Sequence, residues 1–86
     1  MSIYSVFDKK AVSFSPLFIA QNDEVAKRMV SVSLLDDTML SHSPSDFALY
    51  HLGEFDTNTG NVSGLSPVNI VCEVLSLIEI DNKESN

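Results

Sequence analysis

Residues 53–64, GEFDTNTGNVSG, carry aspartate, asparagine and threonine oxygens in a pattern similar to that of a calcium-binding loop. An EF-hand loop starting at Asp56 would need an oxygen ligand at its fifth position, glycine at its sixth and glutamate at its twelfth. Those positions hold Gly60, Asn61 and Pro67. Because all three are wrong for a metal loop, the segment is predicted to be a β-hairpin turn in which Gly60 supplies a positive φ.

The remaining residue types with chemical potential do not form a recognisable site. His42 and His51 lack the HxH or HxxxH spacing of a two-histidine metal site, and Cys72 is the only cysteine. No GxSxG, GxGxxG or P-loop motif is present, and the adjacent Asp36 and Asp37 are expected to be solvated. The sequence therefore predicts no catalytic residues, no cofactor and no metal, and the protein is not expected to be an enzyme.

Aromatic residues and lysines occur together near the N terminus, a combination typical of proteins that bind single-stranded nucleic acid. The residues that could contact DNA in this way are Tyr4, Lys9, Lys10, Phe14, Lys27 and Arg28. Against this interpretation, residues 1–28 have a net charge of only +1 and residues 29–86 a net charge of −8. The same aromatic side chains are also expected in the core of a small domain, so core packing is the competing interpretation.

Length and composition predict one small domain at residues 1–80, followed by a polar tail at 81–86. The chain has 86 residues, of which 44% are hydrophobic, so a modest core is expected. No stretch resembles a signal peptide or approaches the length of a membrane span, and a lone cysteine suits a reducing compartment. These features predict a soluble intracellular protein.

The elements that would position these residues predict an α+β fold. Residues 2–8 and 12–20 form the first hairpin, and residues 48–55 and 61–65 form the second. A helix is expected at about 22–34, with Asn22 as its N-cap. Residues 66–80 suit either a helix or a strand, and a C-terminal helix at about 67–77 is favoured. Both helices are expected to pack on a small antiparallel sheet.

The strand at 48–55 predicts a homodimer, because apolar side chains point to both of its faces. Leu49 and Phe55 are expected on one face, and Tyr50 and Leu52 on the other. The helices can cover only one face, so the other is expected to contact a second copy. Dimerisation would also bring together two turns that contain Lys9 and Lys10.

Three segments in order resemble the small nonstructural protein of gokushoviruses, single-stranded DNA phages of the Microviridae. They are YSVFDKKA at 4–11, PLFIAQNDEVAKRMV at 16–30 and SHSPSDFALYHLGEFDTNTG at 41–60. The family pattern has a second tyrosine where this chain has Phe7. Lys27 also precedes Arg28 here, and a serine separates His42 from Pro44. The resemblance covers residues 4–60.

The resemblance implies a phage protein of the bacterial cytoplasm that is absent from the virion, and it brings no catalytic residues. The leading hypothesis is a non-enzymatic accessory protein that acts in viral single-stranded DNA synthesis or packaging by binding phage or host replication or packaging proteins. The acidic part of the chain would meet a basic partner or imitate DNA. The alternatives are a single-stranded DNA-binding protein that uses the first hairpin, and an assembly or scaffolding factor.

Overall fold

The computed structural model describes residues 1–36 and 39–78, which form the predicted α+β fold. The strands are β1 (Ser2–Asp8), β2 (Ser13–Phe14), β3 (Phe18–Ala20), β4 (Phe47–Phe55) and β5 (Val62–Glu73). The helices are α1 (Asp23–Ser33), α2 (Met39–His42), a 3-10 turn (Pro44–Asp46) and α3 (residues 74–78). The antiparallel sheet has the order β2-β1-β4-β5, and β3 also pairs with β1. The predicted tail at 81–86 lies outside the described residues.

The first hairpin turns at residues 9–12, where Asp8 accepts hydrogen bonds from the backbone N–H groups of Lys10 and Ala11 at 3.0 and 3.1 Å. Its second arm is interrupted: β2 and β3 both pair with β1, and residues 15–17 between them include Pro16. Ser15 bridges the gap, since its N–H donates to the Val6 carbonyl and its hydroxyl accepts from the Val6 N–H. Pro16 therefore lies at a break in the edge of the sheet, as proline's missing N–H requires.

Helix α1 begins and ends close to the predicted positions. The Asn22 side chain accepts a hydrogen bond from the Val25 N–H at 3.0 Å, which confirms the predicted N-cap. Ala26 and Val30, one turn apart, are buried against the sheet. These two residues form the packing face of α1, whereas Met29 and Val32 are 43% and 60% exposed.

The favoured helix at about 67–77 is wrong for residues 67–73, which belong to β5. Tyr50 pairs with Ile70 and Leu49 with Cys72 across the β4–β5 ladder, and the helix starts only at residue 74. Non-local pairing of a β-branched segment with a central strand thus outweighs the local helix-start signal of Ser66 and Pro67. Residues 65–68 form a large bulge, since β5 advances from Gly64 to Asn69 while β4 passes only Leu52.

The helices cover one face of the sheet. The buried cluster on that face joins strand residues such as Tyr4, Val6 and Leu49 to Val30 of α1 and Val74 of α3. Partly buried Leu40 of α2 packs against the same cluster. On the opposite face, Ile3, Ser5 and Ala48 are also buried although they lie outside this cluster.

Candidate interaction surfaces

The side of the sheet that faces away from the helices, called the open face below, follows from strand alternation. Tyr4 and Val6 lie in the core, so Ile3, Ser5 and Phe7 point the other way. Residues paired across strands share a face, which places further side chains with them. The open face comprises Ile3, Ser5, Phe7, Phe14, Ile19, Ala48, Tyr50, Gly53, Phe55, Val62, Gly64, Ile70 and Glu73, of which Ile3, Ser5, Ala48 and Gly53 are buried.

Three aromatic rings meet on the open face. The ring centroids are 4.7 Å apart for Phe7 and Phe14, 6.0 Å for Phe7 and Tyr50, and 5.5 Å for Phe14 and Tyr50. Tyr50 meets both phenylalanines edge to face, a favourable arrangement for aromatic pairs. Phe14 remains 46% exposed. This cluster contains Phe14, which was predicted to contact DNA, and Tyr50, which was predicted to contact a second copy. Phe7 is its third member.

Both lysines of the first turn form ion pairs. The Lys9 ammonium contacts the Glu73 carboxylate at 2.7 Å and donates to the Ser45 carbonyl at 3.2 Å. The Lys10 ammonium lies 3.4 Å from the Asp46 carboxylate. The positive charge beside the aromatic cluster is therefore neutralised by neighbouring acids.

The other predicted DNA contacts lie away from the open face. Tyr4 is fully buried beneath the helices, so its ring is not available for a base to stack on. Lys27 and Arg28 belong to α1 on the opposite side of the sheet, where Lys27 pairs with Glu24 at 3.3 Å. The structure thus separates the six predicted residues and leaves Phe14, Lys9 and Lys10 together.

The predicted dimer residues are also divided. Leu49 is fully buried in the core, and Phe55 is half-buried at the end of β4. Leu52 has no partner residue in either neighbouring strand, because the ladders on both sides of β4 skip it. Of the four residues, Tyr50 and Phe55 lie on the open face, because Phe55 follows Gly53 by two positions and pairs with Val62.

A chain of polar contacts links α1 to the end of β4. The Tyr4 hydroxyl donates to the Asp23 carboxylate at 2.7 Å, and the Tyr4 ring stacks on His51 with centroids 5.2 Å apart. The Glu54 carboxylate contacts His51 Nε2 at 2.6 Å and accepts from the Ser2 hydroxyl at 2.7 Å. Burial, followed by the hydrogen bond to Asp23, raises the pKa of Tyr4 to about 12.

This arrangement is not that of a catalytic triad. A nucleophilic serine needs its hydroxyl next to a histidine, with the acid on the far side of the imidazole. Here the Glu54 carboxylate lies between Ser2 and His51. The hydrogen bonds from Ser2 and then from His51 lower the pKa of Glu54, so its negative charge is stabilised.

The loop that follows is the predicted turn. Gly60 has φ of +81°, and its N–H donates to the Asp56 carbonyl at 2.7 Å. The Asp56 carboxylate accepts from the backbone N–H groups of Asn58 and Thr59, and these bonds lower its pKa. Across residues 1–36 and 39–78, no group of three or more acidic, histidine or cysteine side chains is placed to hold a metal ion.

Asp23, Glu54 and Asp56 together form what is called the acidic corner below. The Asp23 and Glu54 charges both act on Tyr4, and Asp56 follows two residues after Glu54. Their hydrogen-bond donors are hydroxyl, backbone and imidazole groups. The N-terminal ammonium donates to the Phe55 carbonyl and partly offsets the charges of Glu54 and Asp56, while Lys27, one turn after Asp23, pairs with Glu24. The corner therefore keeps a surplus of negative charge.

A cavity of about 250 Å³ opens between α1 and the sheet. It is lined chiefly by the apolar side chains of Val6, Phe18, Met29, Val30 and Leu40. Its volume lies below the range of about 300–1,000 Å³ that small-molecule sites occupy. The cavity has no charged lining residue that would orient a ligand.

None of the helices in the described part of the chain combines the length and the apolar character that crossing a membrane requires. A sequence model of the family described as Phage ORF5 protein matches residues 1–77. No curated protein and no solved structure matches the chain.

Proposed function

The chain belongs to the Phage ORF5 protein family, and from that premise we propose that it is a non-enzymatic accessory protein of a gokushovirus. It acts in the synthesis or packaging of the single-stranded DNA genome by binding a replication or packaging protein of the phage or its host. It works in the bacterial cytoplasm and is not incorporated into the virion. The phage assignment rests on the family, and the mode of action is the proposal.

The acidic corner is the observation that carries this proposal. Proteins that handle DNA are basic where they touch it, and a preorganised group of carboxylates attracts such a surface. Asp23, Glu54 and Asp56 are held by hydrogen bonds within the fold, so binding requires little further ordering of their side chains. The lowered pKa values of Glu54 and Asp56 keep both groups ionised at neutral pH.

A pull-down from infected cells tests the proposal with a charge-matched pair of variants. Glu54→Gln combined with Asp56→Asn removes two charges from the acidic corner and keeps hydrogen-bond acceptors. Asp36→Asn combined with Asp46→Asn removes two charges elsewhere, and Asp46 precedes β4, about 30 Å of strand away from Asp56. The wild type and the second variant are expected to retain a replication or packaging enzyme, whereas the first is expected to lose it.

Two results would contradict the proposal. If both variants retain the same enzyme equally, the acidic corner is not part of the binding surface. Retention of coat protein alone would favour the assembly-factor alternative.

Direct contact with single-stranded DNA is a second candidate, favoured by the aromatic cluster on the open face. Phe7, Phe14 and Tyr50 offer ring surfaces on which bases can stack. The ion pairs of Lys9 and Lys10 count against it, because phosphate contacts would have to break them. Fluorescence anisotropy with a labelled oligonucleotide tests this candidate: Phe14→Ala should weaken binding if bases stack there.

A further inference from the structure

The turn of the first hairpin, at residues 9–12, has a backbone conformation that does not suit its sequence. Val12 has φ of +55°, and within residues 1–36 and 39–78 it is the one residue other than glycine with a positive φ. A β-branched side chain makes this left-handed conformation costly, and hairpin turns usually place glycine or asparagine there. The backbone at Val12 is therefore strained.

The Val12 side chain contributes little packing that would compensate for this strain. It is 73% exposed, and it belongs neither to the buried cluster nor to the side chains packed against that cluster. Glycine at this position would relieve the strain and also remove an apolar group from water. Neither the backbone nor the core thus accounts for a valine here. Strained residues of this kind concentrate at sites that bind a ligand or a partner.

Hydrogen bonds around the turn hold Val12 in this conformation. The Asp8 carboxylate accepts from two backbone N–H groups of the turn, at 3.0 and 3.1 Å. The Lys9 N–H donates to the Asp46 carbonyl at 2.8 Å, and the Lys9 ammonium donates to the Ser45 carbonyl at 3.2 Å. These bonds join the turn to the segment that precedes β4. Val12 is therefore presented in a fixed position, so that binding through it requires little further ordering.

The charges around the turn indicate the kind of partner. Lys9 pairs with Glu73 and Lys10 with Asp46, so both lysines of the turn are already engaged by acids and a phosphate backbone would have to displace them. The turn instead presents a branched apolar side chain, which is removed from water only when it enters an apolar pocket. We propose that Val12 is the anchor through which the first turn docks into an apolar pocket of a partner protein.

This contact is separate from the acidic corner. Ser2, the first residue of β1, donates to Glu54 of the acidic corner, whereas the turn follows Asp8 at the other end of the strand. A strand of seven residues spans about 20 Å, so both surfaces can be occupied at the same time. The docking of Val12 therefore stands or falls independently of the proposed function.

Two substitutions separate the strain from the contact. Val12→Gly removes the side chain and the strain together, whereas Val12→Thr keeps the shape and the strain and replaces a methyl group by a hydroxyl. In thermal melts, Val12→Gly is expected to raise Tm by about 4–8 °C, and Val12→Thr to melt close to the wild type.

The yield of progeny phage per infected cell measures the contact, since the chain belongs to a phage family. Both Val12→Gly and Val12→Thr are expected to lower the yield, because losing one buried valine contact weakens an association by about tenfold. Val32→Thr makes the same change at a 60% exposed position on α1 and should keep the wild-type yield. A photo-reactive diazirine side chain at position 12, but not at position 32, should cross-link to another protein in infected cells.

Four outcomes would overturn the proposal. If Val12→Gly melts no higher than the wild type, the backbone is not strained and the argument loses its basis. Wild-type yield in both variants would show that no contact depends on Val12. A loss of yield in Val12→Gly alone would assign the effect to the backbone conformation instead of the apolar side chain. Cross-linking from position 12 to DNA or to a second copy of this chain would assign the turn to that partner.

Discussion

Tyr4 is the residue on which several parts of the molecule converge. It is fully buried, its hydroxyl donates to Asp23 of α1, and its ring stacks on His51 of β4 and on Phe18 of β3. An aromatic residue beside lysines predicts a base contact as readily as a core position, and here the core position is the one observed. The short polar link to Asp23 fixes the first turn of α1 against the sheet.

The raised pKa of Tyr4 predicts a specific loss of stability at alkaline pH. Since its pKa is about 10 in the unfolded chain and about 12 in the folded one, the stabilisation is complete below pH 10 and is lost as the pH rises toward 12. Tyr4→Phe should lower the free energy of unfolding by about 1 kcal/mol at pH 7, because one hydrogen bond is lost. The gap between the variant and the wild type should narrow above pH 10 in urea titrations.

Tyr50→Phe is the control for that experiment, because it removes the other tyrosine and leaves Tyr4 in place. Tyr50→Phe should lose stability above pH 10 as the wild type does. A constant gap between Tyr4→Phe and the wild type from pH 7 to pH 11 would show that Tyr4 is not the group responsible.

At the level of elements, the sequence correctly predicted the features that depend only on residues close together in the chain. Asn22 caps α1, and Gly60 has the positive φ that the turn after β4 needs. The turn at residues 9–12 pairs Phe7 with Phe14, so these two rings could have been brought together from the sequence alone. Tyr50 could not be added, because its position depends on the register between β1 and β4, which no local signal specifies.

The error at residues 67–73 has the same origin. Ser66 and Pro67 resemble a helix start, and the apolar spacing that follows fits a helix. The outcome was decided by the backbone groups of β4, a central strand that needs a neighbour on each side. Alternation along β4 also failed at Leu52, because bulges in both ladders shift the register there. Pairing between distant segments is the information that a single sequence does not provide.

The turn at residues 56–60 gives a prediction with a built-in control. Gly60→Val should lower the free energy of unfolding by more than about 1 kcal/mol, because a β-branched residue tolerates a φ of +81° poorly. Gly64→Val makes the same change where the new Cβ meets nothing within 4 Å and φ is not positive. It should cost little in the same thermal or urea melts. Similar losses in both variants would contradict the assignment of the cost to the backbone of Gly60.

On the scale of the whole molecule, the net charge of −7 opposes the homodimer that the sequence predicts. Raising sodium chloride from about 0.1 M to about 1 M shortens the Debye length from about 10 Å to about 3 Å. The dimer fraction measured by sedimentation should therefore increase, and binding of single-stranded DNA, if any, should weaken. A dimer fraction that falls with salt would mean that opposite charges join the copies.

The two outer edges of the sheet limit how large any assembly can become. Pro16 lies in the gap between β2 and β3, and Pro67 lies in the bulge of β5, so each edge has a proline where its run of pairing is broken. Interrupted edges offer poor templates for further strands, and they protect a sheet against fibre growth. A small sheet with continuous edges would otherwise risk open-ended polymerisation. With both edges interrupted, any self-association is expected to end at a discrete number of copies.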